Sequence, residues 1–439
     1  MSTQKKKVLI RGPLLTRSGY GEQARFAYRA LKSRPDLFDV YLAPTNWGQT
    51  GWISDDNDER REMDSVIRNT TTHAQQCQQQ GVLAFDASIQ VTIPQEWQRI
   101  TPKNIGYTAG TETTLISHKW VESCQNVDRI IAVSEHTKAA FENTEYEGRD
   151  SAGNTISARC TTPIDVVGFP TKQLEPVELD FKPETKFNFL VVAQWSDRKN
   201  LPETLQGFMR EFNDNEDVGL IIKTSLAKNS YVDRIYTEAR LKQYLKNYDK
   251  APWNGKPRKC KLYLLHGNMS DEEMAGLYRH PNVNAFINLA HGEGFGLPIF
   301  EAAQAGLPIV APNWGGIKDY MNAYVTTKRG AGKKARKSHG RMRFLGQKVD
   351  FSVKPIQKEA VWDGVLIPES SWCFPHEKSF MRAMRKIYKS YDLALSDAKK
   401  LKAHVEKEFS EEIQQNKFVE SVLETLEASS PQSTSVITL

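Results

Sequence analysis

The chain is predicted to be α/β, with two doubly wound parallel-sheet domains. Three observations predict this. Apolar strands alternate with amphipathic helices along most of the 439 residues. A Pro-, Glu- and Lys-rich stretch without clear period, Thr171–Lys186, divides the alternation into two halves. A glycine-rich loop joins a strand to a helix in each half. Hydrophobic residues at 39% and charged residues at 26% are enough for two sizeable cores. They exclude a collagen-like, disulfide-stapled or wholly disordered chain.

The first half opens on a short strand, Val8–Ile10, and a loop ending in Ser18-Gly19-Tyr20-Gly21. Tyr20, Ala24, Ala27, Tyr28 and Leu31 then recur at helical spacing, and Pro35 closes the helix. Val40–Ala43, Val82–Phe85, Ile89–Ile93, Ile105–Tyr107 and Arg129–Val133 read as strands, and Asp55–Arg61 as a charged loop. Lys119–Cys124 reads as helical, and Ser134 caps a helix reaching about Phe141. Residues 144–163 are polar and poorly patterned, and Ile164–Val167 resumes a strand.

The second half repeats the scheme. Strands are expected at Phe187–Ala193, Val218–Lys223, Lys261–Leu265, Ala285–Leu289 and Pro308–Ala311. Helices are expected at Pro202–Phe212, 231–248, Asp271–Tyr278, Pro298–Ala305 and Glu377–Tyr391. Residues 322–372 read as irregular. The domains are therefore placed at 1–175 and 176–395, followed by one helix at 396–427 and a disordered Ser/Thr-rich tail from 428.

The five cysteines, Cys77, Cys124, Cys160, Cys260 and Cys373, are odd in number and scattered, so reduced thiols are expected. No apolar run approaches the ~18 residues of a membrane span. Only Val8–Ile10 separates the basic start from Arg11, too short for a signal-peptide core. The expectation is a cytoplasmic protein, with peripheral membrane contact as an alternative.

The net charge of +6 is local. Lys328, Arg329, Lys333, Lys334, Arg336, Lys337, Arg341 and Arg343 follow one another with no acid between them, and without these eight the balance is −2. Segment 328–343 is thus either a solvated loop, a contact for an anionic acceptor such as DNA or a phosphorylated glycan, or a membrane contact. No stable protein partner is expected.

The chemistry concentrates in His291-Gly292-Glu293-Gly294-Phe295-Gly296-Leu297-Pro298-Ile299-Phe300-Glu301. This string follows a strand and opens a helix, with Pro298 suited to the first turn and Gly306 to the C-terminal cap. Free amides at a helix N-terminus make an anion site. Glu293 precedes the helix and Glu301 lies further along it, where it can accept hydrogen bonds from two neighbouring hydroxyls. A sugar nucleotide carries hydroxyls at both ends and a diphosphate between. Asp56-Asn57-Asp58 matches a metal-binding triplet, but sits among charges with no apolar strand before it. No metal site is expected.

The E-x7-E spacing of Glu293 and Glu301 within E-G-F-G-L-P-x-x-E-A resembles the signature of retaining glycosyltransferases of family 4, which implies the GT-B fold, two Rossmann-like domains facing a central cleft. The likeness covers most of the chain. Val191–Asn200 resembles the family's first donor-domain strand and basic loop, and His266–Ser270 its nucleobase loop. Asn313–Gly316 resembles its G-G turn, Ser18–Gly21 its N-domain glycine loop, and Val133–Glu135 its late N-domain strand end.

The resemblance implies transfer of a sugar from a nucleotide-diphosphate sugar to an acceptor glycan or glycoconjugate, without cofactor or metal. Glu293 would hold the donor sugar and Glu301 the ribose. The amides of Phe295, Gly296 and Leu297, with Gly19, Gly21 and Lys199, would meet the diphosphate or sugar, and Met269 the nucleobase. Where the family often has an Arg, this chain has Gln194, so the second cation falls to Arg198 or Lys223. Glu112 is a candidate for the acceptor side, in place of the His many relatives carry. The alternatives are a DNA-base glycosyltransferase and a catalytically idle sugar-nucleotide scaffold.

Overall fold

The computed structural model describes residues 4–149, 155–325, 328–329, 336–337 and 340–428. Its first half contains β1 (Lys6–Gly12), α1 (Gly19–Lys32), β2 (Phe38–Pro44), α2 (Asp58–Gln80) and β3 (Ala87–Val91). Then come β4 (Lys103–Thr108), α3 (His118–Ser123), β5 (Arg129–Ala132), α4 (Glu135–Glu142), β6 (Glu145–Arg149), β7 (Thr155–Arg159) and β8 (Ile164–Val166). Six of these strands form one parallel sheet in the order β2-β1-β3-β4-β5-β8. Val8, Ile10, Ile89, Val91 and Ile105 are fully buried, as expected of strands covered by helices on both faces.

Residues 167–186 form neither helix nor strand. The second half contains β9 (Phe187–Val192), α5 (Leu201–Phe212), β10 (Val218–Lys223), α6 (Tyr231–Lys250), β11 (Lys261–Leu265) and α7 (Asp271–Tyr278). It continues with β12 (Ala285–Ile287), α8 (Leu297–Ala305), β13 (Ile309–Pro312), α9 (Lys318–Met321) and β14 (Asn322–Val325). Next are β15 (Lys328–Arg329), β16 (Arg336–Lys337), β17 (Arg341–Phe344), β18 (Gln347–Val349), β19 (Phe351–Pro355) and β20 (Ser371–Pro375). Three helices close the fold: α10 (Glu377–Lys389), α11 (Tyr391–Glu408) and α12 (Glu411–Glu427). The second sheet is also parallel, in the order β11-β10-β9-β12-β13-β18. Each sheet reverses its winding once, between β1 and β3 in the first and between β9 and β12 in the second.

Five sequence expectations are corrected. The charged stretch at 55–61 is not all loop: Asn57 caps the N-terminus of the 23-residue α2, its side chain accepting from Arg60 N. That helix escapes a search for apolar periodicity because Met63, Thr70 and Cys77 are its only fully buried residues. Val82–Phe85 is not a strand; Val82 and Leu83 are exposed in the turn after α2. Segments 144–163 and 322–372 contain paired strands, including β18, the sixth strand of the second sheet.

The single helix expected at 396–427 is two helices. Phe409 leaves the helical path to pack against Phe295, Phe300 and Tyr320, and Ser410 caps α12. α11 lies on α8. α12 crosses to the first half, where Phe418 meets Phe26 of α1 and Tyr107 of β4, with ring centroids 5.6 and 5.2 Å apart. Arg129 pairs with Glu424 at 3.0 Å there. The tail expected to be disordered lies outside the described residues from 429 onward.

Candidate active site

The winding reversal of the second sheet sets the C-terminal ends of β9 and β12 side by side, leaving a crevice between the loops that follow them. Two hydrogen bonds clip those loops together: His291 N to Arg198 O at 2.9 Å and Asn200 Nδ2 to Leu289 O at 3.1 Å. Glu293 descends into the crevice and is nearly fully buried. Lys199 Nζ donates to both its oxygens, at 2.6 and 2.7 Å, and Arg198 Nη1 to Oε2 at 3.1 Å.

Arg198 Nη1 also lies 3.1 Å from Glu112 Oε1, in the loop after β4 of the first half. The two carboxylate oxygens therefore sit within twice that distance of each other, on opposite walls of the cleft. Burial alone would raise the Glu293 carboxyl, but the Lys199 and Arg198 charges outweigh it and hold the group below the usual carboxylate range. Burial works against the Arg198 charge, and Glu112 and Glu293 more than restore it.

The loop carrying Glu293 is pressed against the first half. A Cβ on Gly292 would lie 2.5 Å from Glu112 O, and one on Gly294 2.4 Å from Ala109 O, so only glycine admits this approach. Ser134, the cap of α4, donates its hydroxyl to Gly294 O at 2.6 Å. Glu135 N donates to Asp319 Oδ2 at 2.9 Å, and Gly316 N to Glu293 O at 2.8 Å. Phe295 points into the aromatic cluster of Phe169, Phe300, Tyr320 and Phe409. Gly296 precedes α8 with a φ of 87°, and its carbonyl accepts from the Tyr320 hydroxyl. Below the loop, His291 stacks on Trp372 and bonds Cys373 O; burial lowers its basicity.

Beside α8 lies a cavity of about 80 Å³, lined by Leu297, Glu301, Tyr278, Asp271, Lys172 and Glu22. Burial pushes Glu301 up to about 7. The nearby Tyr278 hydroxyl is buried and has no hydrogen-bond partner among the described residues. Lys172, in the connecting segment, bridges Glu22 of α1 at 2.8 Å and Asp271 of α7 at 2.7 Å.

At the end of β10, Lys223 donates to Gly267 O at 2.7 Å. Burial pushes it down to about 8, and it makes no ion pair among the described residues. Arg17, in the first glycine loop, reaches Met269 O at 2.9 Å. The expected residues thus fall into a charged cluster (Glu293, Arg198, Lys199), the loop Phe295–Leu297 above it, the cavity with Leu297 and Glu301, and the neighbouring carbonyls held by Lys223 and Arg17.

Gly21 stands apart. Its amide donates to Ser18 Oγ at 2.9 Å, and its Cα packs beneath Thr16 O, so it shapes the start of α1 with its N–H already engaged. Gly19, the first residue of α1, has open space where a Cβ would stand. Asp56 and Asp58 are solvent-facing partners of Arg61 at the start of α2. Among the described residues, no group of three or more His, Cys, Asp or Glu is arranged to hold a metal ion. Of the basic segment, Lys333 and Lys334 lie outside the described residues, and Arg343 pairs with Asp397 at 2.9 Å. Sequence reasoning missed the Glu22–Lys172–Asp271 bridge and Tyr278, which belong to no motif and meet only through the fold.

Residues 260–334, from just before β11 through the Glu293 loop and α8, match the family model for glycosyl transferases group 1. Over those residues the chain resembles group 1 glycosyltransferases. The serotype-specific mannosyltransferase WbdA of Escherichia coli is 32% identical over 123 residues, 28% of this chain; the match spans only 13% of WbdA. Sucrose-phosphate synthase from Thermosynechococcus elongatus superposes over 97% of this chain and 100% of its own, with a TM-score of 0.59 at 12% identity. HepE of Anabaena, solved in complex with UDP-glucose, superposes over 95% of this chain and 99% of its own, with a TM-score of 0.52 at 12% identity. At these identities the likeness concerns fold, and the fold is GT-B: two Rossmann-like domains, with the group 1 match spanning the Glu293 loop. Among the described residues no helix is long and apolar enough to cross a membrane.

Proposed function

We propose that this chain transfers a sugar, with retention and without a metal, from a nucleotide-diphosphate sugar to an acceptor hydroxyl in glycan or glycoconjugate synthesis. The observation that carries the reading is the buried Glu293 carboxylate, gripped by Lys199 and Arg198 at the winding reversal and faced by Glu112. Breaking the sugar–phosphate bond leaves positive charge on the sugar and negative charge on the departing diphosphate. An ionised Glu293 suits the first. Lys199, Lys223 and the amides opening α8 suit the second, as fixed groups aimed at developing charge. Glu301 takes the ribose hydroxyls in the adjoining cavity. Glu112 lies on the first domain's wall, where an acceptor would approach, and in this reading it binds an acceptor hydroxyl.

The likeness to a mannosyltransferase puts nucleotide-activated mannose first in the donor screen. The test is a thermal-shift series with UDP, GDP, ADP, CDP and their sugar conjugates, without added metal. A selective rise with one nucleotide is expected, because ligand bound to the native state stabilises it. No rise with any, from folded protein, counts against a nucleotide-sugar site of either kind, catalytic or idle. A DNA acceptor draws on the basic segment alone.

A further inference from the structure

The first two turns of α6 expose an apolar face that the transfer site does not use. Tyr231, Val232, Ile235 and Tyr236 are 75%, 58%, 50% and 63% exposed, and their spacing pairs 231 with 235 and 232 with 236 along one side of the helix. The opposite side is already spoken for: Thr237 and Leu241 are buried, and Tyr244, Leu245 and Tyr248 pack on the second core. The helix therefore has two apolar faces, of which one is half or more exposed among the described residues. Four large side chains at these exposures present on the order of 400 Å², the size at which a patch signals an interaction.

Cations outnumber acids around this face, Lys228, Arg234 and Lys242 against the half-exposed Glu238. Lys228 and Arg234 are exposed beside it. The acid of the same turns, Asp233, is turned inward and buried, where it accepts from Ala227 N at 2.9 Å and meets His266 Nε2 at 2.8 Å. Glu238, the next acid along, is paired with Lys242 at 2.6 Å. Tyrosines flanking aliphatic residues, with a net positive rim alongside, complement an anionic lipid interface. The rings and aliphatic groups enter the headgroup boundary and the cations meet lipid phosphates. The face also adjoins the cleft mouth, since the Lys228 carbonyl lies against Gly51, next to the half-exposed Trp52 of the first domain.

We propose that the first two turns of α6 are a docking face for an anionic membrane surface. The proposal does not rest on the transfer reading, because binding is read without turnover. The test is flotation of the full chain with vesicles of phosphatidylcholine alone and with about a third phosphatidylglycerol, at low and high salt. Binding to the anionic vesicles, weakened by salt, is expected. Ile235→Ser with Tyr236→Ser should weaken it about tenfold, and Arg234→Glu by a similar factor, with the melting temperature unchanged because these side chains are exposed. No vesicle binding, or binding that these substitutions leave intact, overturns the proposal. Loss of self-association in the same variants, with vesicle binding unchanged, also overturns it and assigns the face to a second copy of the chain.

Discussion

Glu293 answers to two cations at once, and its replacement shows what they do together. In Glu293→Gln the buried Lys199 loses its counter-charge and Arg198 keeps only Glu112, while the shape is kept. Turnover should fall about 10²- to 10³-fold, as when a group aimed at developing charge is removed, while nucleotide-induced thermal shifts persist. Glu112 lies across the cleft on the same guanidinium. Glu112→Ala should raise the KM for acceptor while sparing slow hydrolysis of the donor by water, which the two assays read separately. Glu301 and Lys223 give the nucleotide site a pH dependence. A carboxyl raised to about 7 by burial is ionised, and able to accept ribose hydroxyls, only above that pH. An ammonium lowered to about 8 loses its charge above that pH. Nucleotide affinity should therefore peak between about 7 and 8. Glu301→Gln should remove the acid limb and Lys223→Met the alkaline one, read by titration calorimetry across pH. The same Glu301 binds more protons folded than unfolded, so its contribution to stability falls as pH rises from its ordinary value toward 7.

At the scale of elements, two devices hold the site in place. The Gly292–Gly294 loop lies backbone to backbone on Ala109–Glu112. Gly294→Ala would set a methyl against the Ala109 carbonyl, which has no flexible end to yield. Loss of turnover with an intact second domain is expected, checked by nucleotide binding. The other device is α12, whose Phe418 is fully buried between α1 and β4. Phe418→Ala should cost about 3–5 kcal/mol, measured by chemical denaturation. Elements like β9, β10 and α8 were legible because their apolar runs and end signals agree. α2 was not, since its buried side consists of a few spaced residues and its surface is polar throughout. β18 was not, since a three-residue edge strand carries too little pattern to separate from loop. The break at Phe409 was not, because only the aromatic cluster it joins explains why the helix stops.

For the molecule as a whole, the cleft is closed by contacts that need no ligand: Ser134 on Gly294, Arg17 on Met269, Glu112 on Arg198, and Lys172 across the connecting segment. The charged cluster was legible from the Glu293 and Glu301 spacing together with the basic loop after β9. Its counterpart in the first domain was legible only as a candidate, because no local pattern tells which loop carboxylate crosses the cleft. The Lys172 bridge between Glu22 and Asp271 lines the cavity beside Glu301, where a donor taking that site would meet it. Lys172→Met should accordingly change the rate of nucleotide association more than Glu293→Gln does, in stopped-flow binding.

The measurement that bears most directly on the account is release of nucleoside diphosphate from the donor that thermal shift selects. Wild-type protein and Glu293→Gln would be compared at matched donor occupancy. The account predicts steady release by the wild type without added metal, and release at least about a hundredfold slower by the variant despite equal binding. Equal release by both would contradict the assignment of Glu293, and no release by folded, nucleotide-binding wild type, with acceptor candidates present, would contradict the transfer reading itself.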